Sequence, residues 1–124
     1  MRWAGDQPGP LILDTCASPG GKTTAFAAAA GQGALVVACD VRDRRINLLR
    51  QTAHASGASN IRLVQADLLE ALPFPDQRFA TVILDAPCSG LGTLRRDPDI
   101  RWRRNETDLP VLAEDQRRML RHAE

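Results

Sequence analysis

No apolar run in this chain of 124 residues approaches the roughly 18 that a membrane-spanning helix needs. The opening Met1-Arg2-Trp3-Ala4-Gly5-Asp6 also lacks the apolar stretch of a secretory signal. The expected setting is therefore the cytoplasm, with no membrane partner. Cysteine is scarce: Cys16, Cys39 and Cys88 are an odd number at wide spacing, with no C-x-x-C pair. That excludes a disulfide framework and a zinc knuckle, and the three read as reduced thiols. His54 and His122 stand alone on helical stretches, no metal-ligating cluster is visible, and no metal is expected. Lysine occurs once, as Lys22, against fifteen arginines. Internal repeats and low-complexity linkers are absent too.

What remains suits one compact soluble domain: 44% hydrophobic residues and a net charge of +1. Residues 11–13 form a short apolar run ending at Asp14, followed by the turn-like Ser18-Pro19-Gly20-Gly21. Residues 22–30 are alanine-rich and close at Gly31, a natural helix stop. The valine-rich run 34–39 ends at Asp40. Across 42–56, Ile46, Leu49 and Ala53 share one helix face, with Gly57 as the stop. Residues 61–66 alternate apolar and polar and end at Asp67. Pro73 and Pro75 then break the chain, and the continuously apolar 80–84 ends at Asp85. Leu109, Leu112, Gln116, Met119 and Leu120 mark a last amphipathic helix. Strands alternating with helices predict an α/β unit whose parallel sheet is covered on both faces.

Each of the four expected strands ends in aspartate: Asp14, Asp40, Asp67 and Asp85. Right-handed crossovers send the carboxyl ends of parallel strands to one rim, where ligands of open α/β sheets bind. Any one of these acids taken alone reads as a helix cap or turn former. Together they predict a ligand site. Four acids facing one Lys22 suit a cationic ligand carrying a sugar diol better than a pyrophosphate. Asp40, at the end of the second strand, is the candidate for the diol.

The glycine turn excludes two rivals. Gly21-Lys22-Thr23 has Cys16 where a Walker loop needs its first glycine, and no G-x-G-x-x-G stands in register. The expectation is a short turn whose two bare glycines let backbone approach a ligand closely.

Cys16-Ala17-Ser18-Pro19-Gly20-Gly21-Lys22-Thr23, after Leu13-Asp14, resembles the first methyltransferase motif of the Sun (Fmu) family of RNA cytosine-5 methyltransferases. Asp85-Ala86-Pro87-Cys88-Ser89-Gly90 resembles that family's Asp-Ala-Pro-Cys-Ser signature. Arg95-Arg96-Asp97-Pro98-Asp99-Ile100-Arg101-Trp102 is similar to the segment that trails it. The resemblance covers nearly the whole chain. It implies a Rossmann-like fold for S-adenosyl-L-methionine, here the N-terminal part of a doubly wound, mostly parallel sheet. It also implies that Cys16, Ala17, Ser18, Pro19, Gly20, Gly21 and Lys22 wrap the methionine part of that cofactor. Asp40 would hold the ribose and Asp67 would lie beside the adenine. Asp85 would lie between the cofactor and a cytosine flipped from structured RNA, most often ribosomal RNA.

Carbon 5 of cytosine is a poor nucleophile until a thiolate adds to carbon 6, so the chemistry calls for a cysteine. Cys88, just after the fourth strand beside Asp85, reads either as a small buried hydrophobe or as a functional thiol. The Asp-Ala-Pro-Cys context favours function. In the family it resembles, the attacking cysteine belongs to a Thr-Cys motif on a later strand, and the Pro-Cys cysteine assists product release. No Thr-Cys pair follows Cys88 here. The expectation is accordingly an incomplete domain that binds cofactor without turning over. Asp85 is expected to hydrogen-bond the cytosine amino group or protonated ring nitrogen.

Residues 95–104 hold five arginines, Arg95, Arg96, Arg101, Arg103 and Arg104, with Trp102 among them. Two readings stand: the arginines and Trp102 grip RNA, or Asp97 and Asp99 pair with those arginines in a solvated loop. For the whole chain the alternative reading is a catalytically inactive module that binds S-adenosylmethionine or RNA.

Overall fold

The computed structural model describes residues 10–88, 105 and 107–124. Its strands are β1 (Leu11–Asp14), β2 (Leu35–Asp40), β3 (Ile61–Gln65) and β4 (Thr81–Ile83). Its helices are α1 (Gly21–Ala30), α2 (Asp43–Ala55) and α3 (Asp108–Ala123). The four strands form one parallel sheet in the order β3-β2-β1-β4. Leu13 of β1 sits between Val37 of β2 and Val82 of β4. The direction of winding reverses beside β1, the topological switch point of such sheets.

Burial explains which run became which strand. Val36, Val37, Ala38 and Cys39 are at most 1% exposed, as expected of a central strand covered on both faces. One face carries α1 and α2. Ile12, Ala17, Ala27, Val36, Ala38, Ile46, Leu49 and Ile61 form the core there. Alanine-rich α1 lies close to the sheet because its side chains are short, and α2 turns Ile46 and Leu49 inward as the spacing foretold.

The opposite face is covered differently. Leu13, Val37 and Cys39 pack against Val64, Ala66, Leu72, Phe74 and Phe79. Phe74 and Phe79 meet edge to face at 5.1 Å. The β3–β4 connection thus covers this face without a regular helix, because Pro73 and Pro75 deny it the backbone bonds. β4 is shorter than the apolar run 80–84 and is an outer strand among the described residues, with Thr81 and Val82 exposed. The continuous run suggests neighbours on both sides, but β4 has one, β1, among the described residues. No helix of the described residues is long and apolar enough to cross a membrane.

Candidate active site

All four strands run parallel, so their carboxyl ends share one rim. Asp14 pairs in register with Ala38 and Ile83, and Asp40 with Gln65. Asp14 and Asp40 close their strands, whereas Asp67 and Asp85 each lie two residues beyond theirs. The rim places the four acids together as the sequence predicts, but it gives them different work.

Asp14 is a structural acid. It is 1% exposed and accepts the Thr23 hydroxyl at 2.7 Å. Burial pushes its carboxyl above the ordinary range, against the opposing pull of the Thr23 bond. This bond ties the end of β1 to the first turn of α1 and shapes the loop between them.

Residues 15–20 are stitched down on both sides. The Thr15 N–H and hydroxyl donate to the Ile83 carbonyl at 3.0 and 2.9 Å, and the Ala17 N–H donates to the Cys39 carbonyl at 2.9 Å. The Ser18 N–H donates to Asp40 Oδ2 at 3.1 Å. The Ser18–Pro19 peptide is cis. Gly20 has φ 110°, and a Cβ built there would stand 2.9 Å from Leu49 Cδ1 and 3.1 Å from Thr52 Cβ. At Gly21 a built Cβ meets nothing within 4 Å. The two glycines therefore differ: Gly20 is required for the turn and for contact with α2, while Gly21 leaves open space over the loop. The expectation gave both bare positions one role, ligand approach; the space around them is unequal, closed by α2 at Gly20 and open at Gly21.

Asp40 is buried, and its carboxylate also accepts the Val41 N–H at 2.9 Å. Arg45, on the first turn of α2, places Nε 3.5 Å from Asp40 Oδ1 and donates to the Ser18 carbonyl at 3.3 Å. Sequence reasoning missed Arg45. The available signal was an arginine cluster, Arg42, Arg44 and Arg45, at a helix N-terminus, where the helix dipole disfavours cations that lack a partner. Half-buried Asp67 accepts the Leu69 N–H at 2.9 Å. Asp85, well exposed, pairs with Lys22 of α1. That contact joins the first turn of α1 to the Asp-Ala-Pro-Cys segment, two motifs 63 residues apart.

The thiols divide just as sharply. Burial, with Asp40 nearby, pushes Cys16 up to about 11, and burial pushes Cys39 up to about 12. Neither supplies thiolate near neutrality. Cys88 is exposed at the end of the Asp85 segment. Arg95, Arg96, Arg101 and Trp102 lie outside the described residues.

The residues fit S-adenosylmethionine. Open space stands over Gly21, and carboxylates at Asp40, Asp67 and Asp85 offer acceptors for hydroxyl and amino groups beside a cation. A SAM dependent methyltransferase from Aquifex aeolicus superposes on this chain with a TM-score of 0.55 at 20% identity, over 61% of this chain and 40% of that one. At that identity the likeness concerns the fold. NSun6 from Pyrococcus horikoshii, solved with SFG, superposes with a TM-score of 0.80 at 30% identity, over 92% of this chain and 29% of that one. The class is thus the Rossmann-like, S-adenosylmethionine-dependent methyltransferase fold.

The family model for 16S rRNA methyltransferase RsmB/F matches residues 3–124, and the chain belongs to that family. Ribosomal RNA small subunit methyltransferase B of Shigella sonnei is 38% identical over 120 residues. That match takes in 97% of this chain but 28% of the relative, so the chain spans little more than a quarter of that protein's length. The resemblance to the Sun family is borne out, and the cofactor of such enzymes is S-adenosyl-L-methionine.

Proposed function

We propose that residues 1–124 form the S-adenosylmethionine-binding part of a methyltransferase acting on carbon 5 of cytosine in RNA, with ribosomal RNA as the substrate class. The observation that carries this reading is the Lys22–Asp85 pair. It sets the cofactor turn against the segment bearing Cys88, at a rim shared with Asp40 and Asp67.

When bound, the cofactor supplies an electrophilic methyl group. The chain's own residues do the rest. Cys16, Ala17, Ser18, Pro19, Gly20, Gly21 and Lys22 surround the methionine portion. Asp40, held in place by the Ser18 and Val41 N–H groups, accepts from the ribose diol. Asp67 faces the adenine. Asp85 accepts a hydrogen bond from the cytosine amino group or protonated ring nitrogen, which favours thiolate addition at carbon 6. Cys88, the chain's exposed thiol, is the one assigned to that base. Arg95, Arg96, Arg101 and Trp102 supply cationic and stacking contacts to the RNA.

Titration calorimetry with S-adenosylmethionine, followed by transfer of labelled methyl to unmodified ribosomal RNA, tests the reading. Binding is expected. Binding without transfer identifies a cofactor-holding unit, and transfer lost in Cys88→Ser assigns the attacking thiol to Cys88. A folded chain that ignores the cofactor contradicts the reading.

A further inference from the structure

Helix α3 contains no fully buried residue, yet it reaches both outer loops of the rim. The Gln116 side-chain amide donates to the Pro87 carbonyl at 2.8 Å, in the segment between Asp85 and Cys88. His122 Nδ1 bonds the Leu68 carbonyl at 2.8 Å, directly after Asp67. Arg118 adds an exposed ion pair to Glu70 at 3.6 Å, which contributes little alone. At 100° per residue, Gln116 and His122 flank a half-buried stripe of Leu112, Met119 and Ala123. They stand about 9 Å apart along the axis. One rigid rod is therefore bonded at two points to two loops that follow β3 and β4, the outermost of the described strands.

We infer that Gln116 and His122 are positioning residues, and that α3 is a brace fixing the Asp67 loop relative to the Asp85 segment. Neither side chain is proposed to touch cofactor or substrate. Each holds a backbone carbonyl next to a residue that does in the reading above, and the inference rests on that reading only for its functional consequence. A helix resists stretching and bending between two anchors, so removing one bond frees the loop it touched and also removes the constraint on the other.

That crosswise effect separates bracing from local packing. The Leu69 N–H, bonded to the Asp67 carboxylate, and the Glu70 N–H, bonded to the Asp67 carbonyl at 2.9 Å, report on one loop. The Ala86 and Cys88 N–H groups report on the other. Hydrogen exchange of the 124-residue chain is followed in Gln116→Ala and His122→Ala. Alanine is a better helix former than either residue, so α3 is not melted by propensity. Gln116→Ala is expected to quicken exchange at Leu69 and Glu70 by about two- to tenfold, the worth of one hydrogen bond, although the His122 bond is intact. His122→Ala is expected to do the same at Ala86 and Cys88. If each variant loosens only the loop it touches, or neither loop, the brace is overturned.

A measurement without substitution guards against a variant that misfolds. Adding S-adenosylmethionine to the unaltered chain should slow exchange across 116–123, to which the proposed function assigns no cofactor contact; unchanged exchange there, with binding seen by calorimetry, contradicts the brace. Absence of binding in calorimetry overturns the cofactor reading instead, and leaves the crosswise exchange test of the brace in force.

Discussion

The Thr23 hydroxyl donates to the carboxylate of Asp14 at 2.7 Å in a site where Thr23 is wholly buried and Asp14 is 1% exposed. The bond fastens the last residue of β1 to the helix that follows the glycine turn. Both partners are buried, so the bond is structural.

Thr23→Val keeps the shape and removes the donor, at an expected cost of about 1–3 kcal/mol at neutral pH. The sign of the pH dependence follows from Asp14. Its folded-state carboxyl lies above the ordinary 3.8 because burial outweighs the Thr23 bond. The stability that protonation gives is full below 3.8 and is lost as pH rises through the raised value. Removing the donor raises it further, so the gap between variant and parent should widen from ~pH 4 to ~pH 7. Urea unfolding across that range measures it. A gap that is constant, or that widens in acid, contradicts the assignment.

The glycine pair makes a second prediction because its members do different things. Gly20→Ala forces a side chain into a left-handed backbone and against Leu49 and Thr52. A loss of about 1–3 kcal/mol is expected. Gly21→Ala enters open space at the start of α1 and should leave the melting temperature unchanged or slightly raised. If backbone at Gly21 faces the cofactor, the same variant weakens S-adenosylmethionine binding by about tenfold or more, as expected when an added methyl blocks a close approach. Thermal melts and calorimetry on the two variants separate stability from binding. Equal behaviour of the pair would refute the division.

Thiol labelling gives a third. With Cys16 pushed up to about 11 and Cys39 to about 12, only exposed Cys88 should react quickly with a maleimide at neutral pH. One fast equivalent is expected, abolished in Cys88→Ser. A second equivalent at a comparable rate would show that the Cys16 loop opens in solution.

Much of this was legible in the chain. Three apolar runs and one alternating run, each leading to an aspartate, located all four strands, because strands of a covered sheet need apolar stretches and Asp favours the turns where they stop. The helix over Ile46 and Leu49 was equally plain. Pattern could not say what each acid bonds. Asp14 and Asp40 end their strands alike in sequence, but Thr23 claims the first and backbone N–H groups orient the second. Nor could periodicity show that Gly20 answers to α2, since that depends on residues distant in the chain. Arg45 and Gln116 were hidden for the same reason: their partners, Asp40 with Ser18 and Pro87, are reached only through the fold.

The most direct measurement is calorimetric titration of S-adenosylmethionine into the chain and into Asp40→Ala, with circular dichroism confirming that both are folded. The account predicts saturable binding to the parent and a loss of at least about tenfold in the variant, the worth of hydrogen bonds to a charged acceptor. Equal affinity in two folded proteins would contradict it, because the sugar would then not be held at the end of β2.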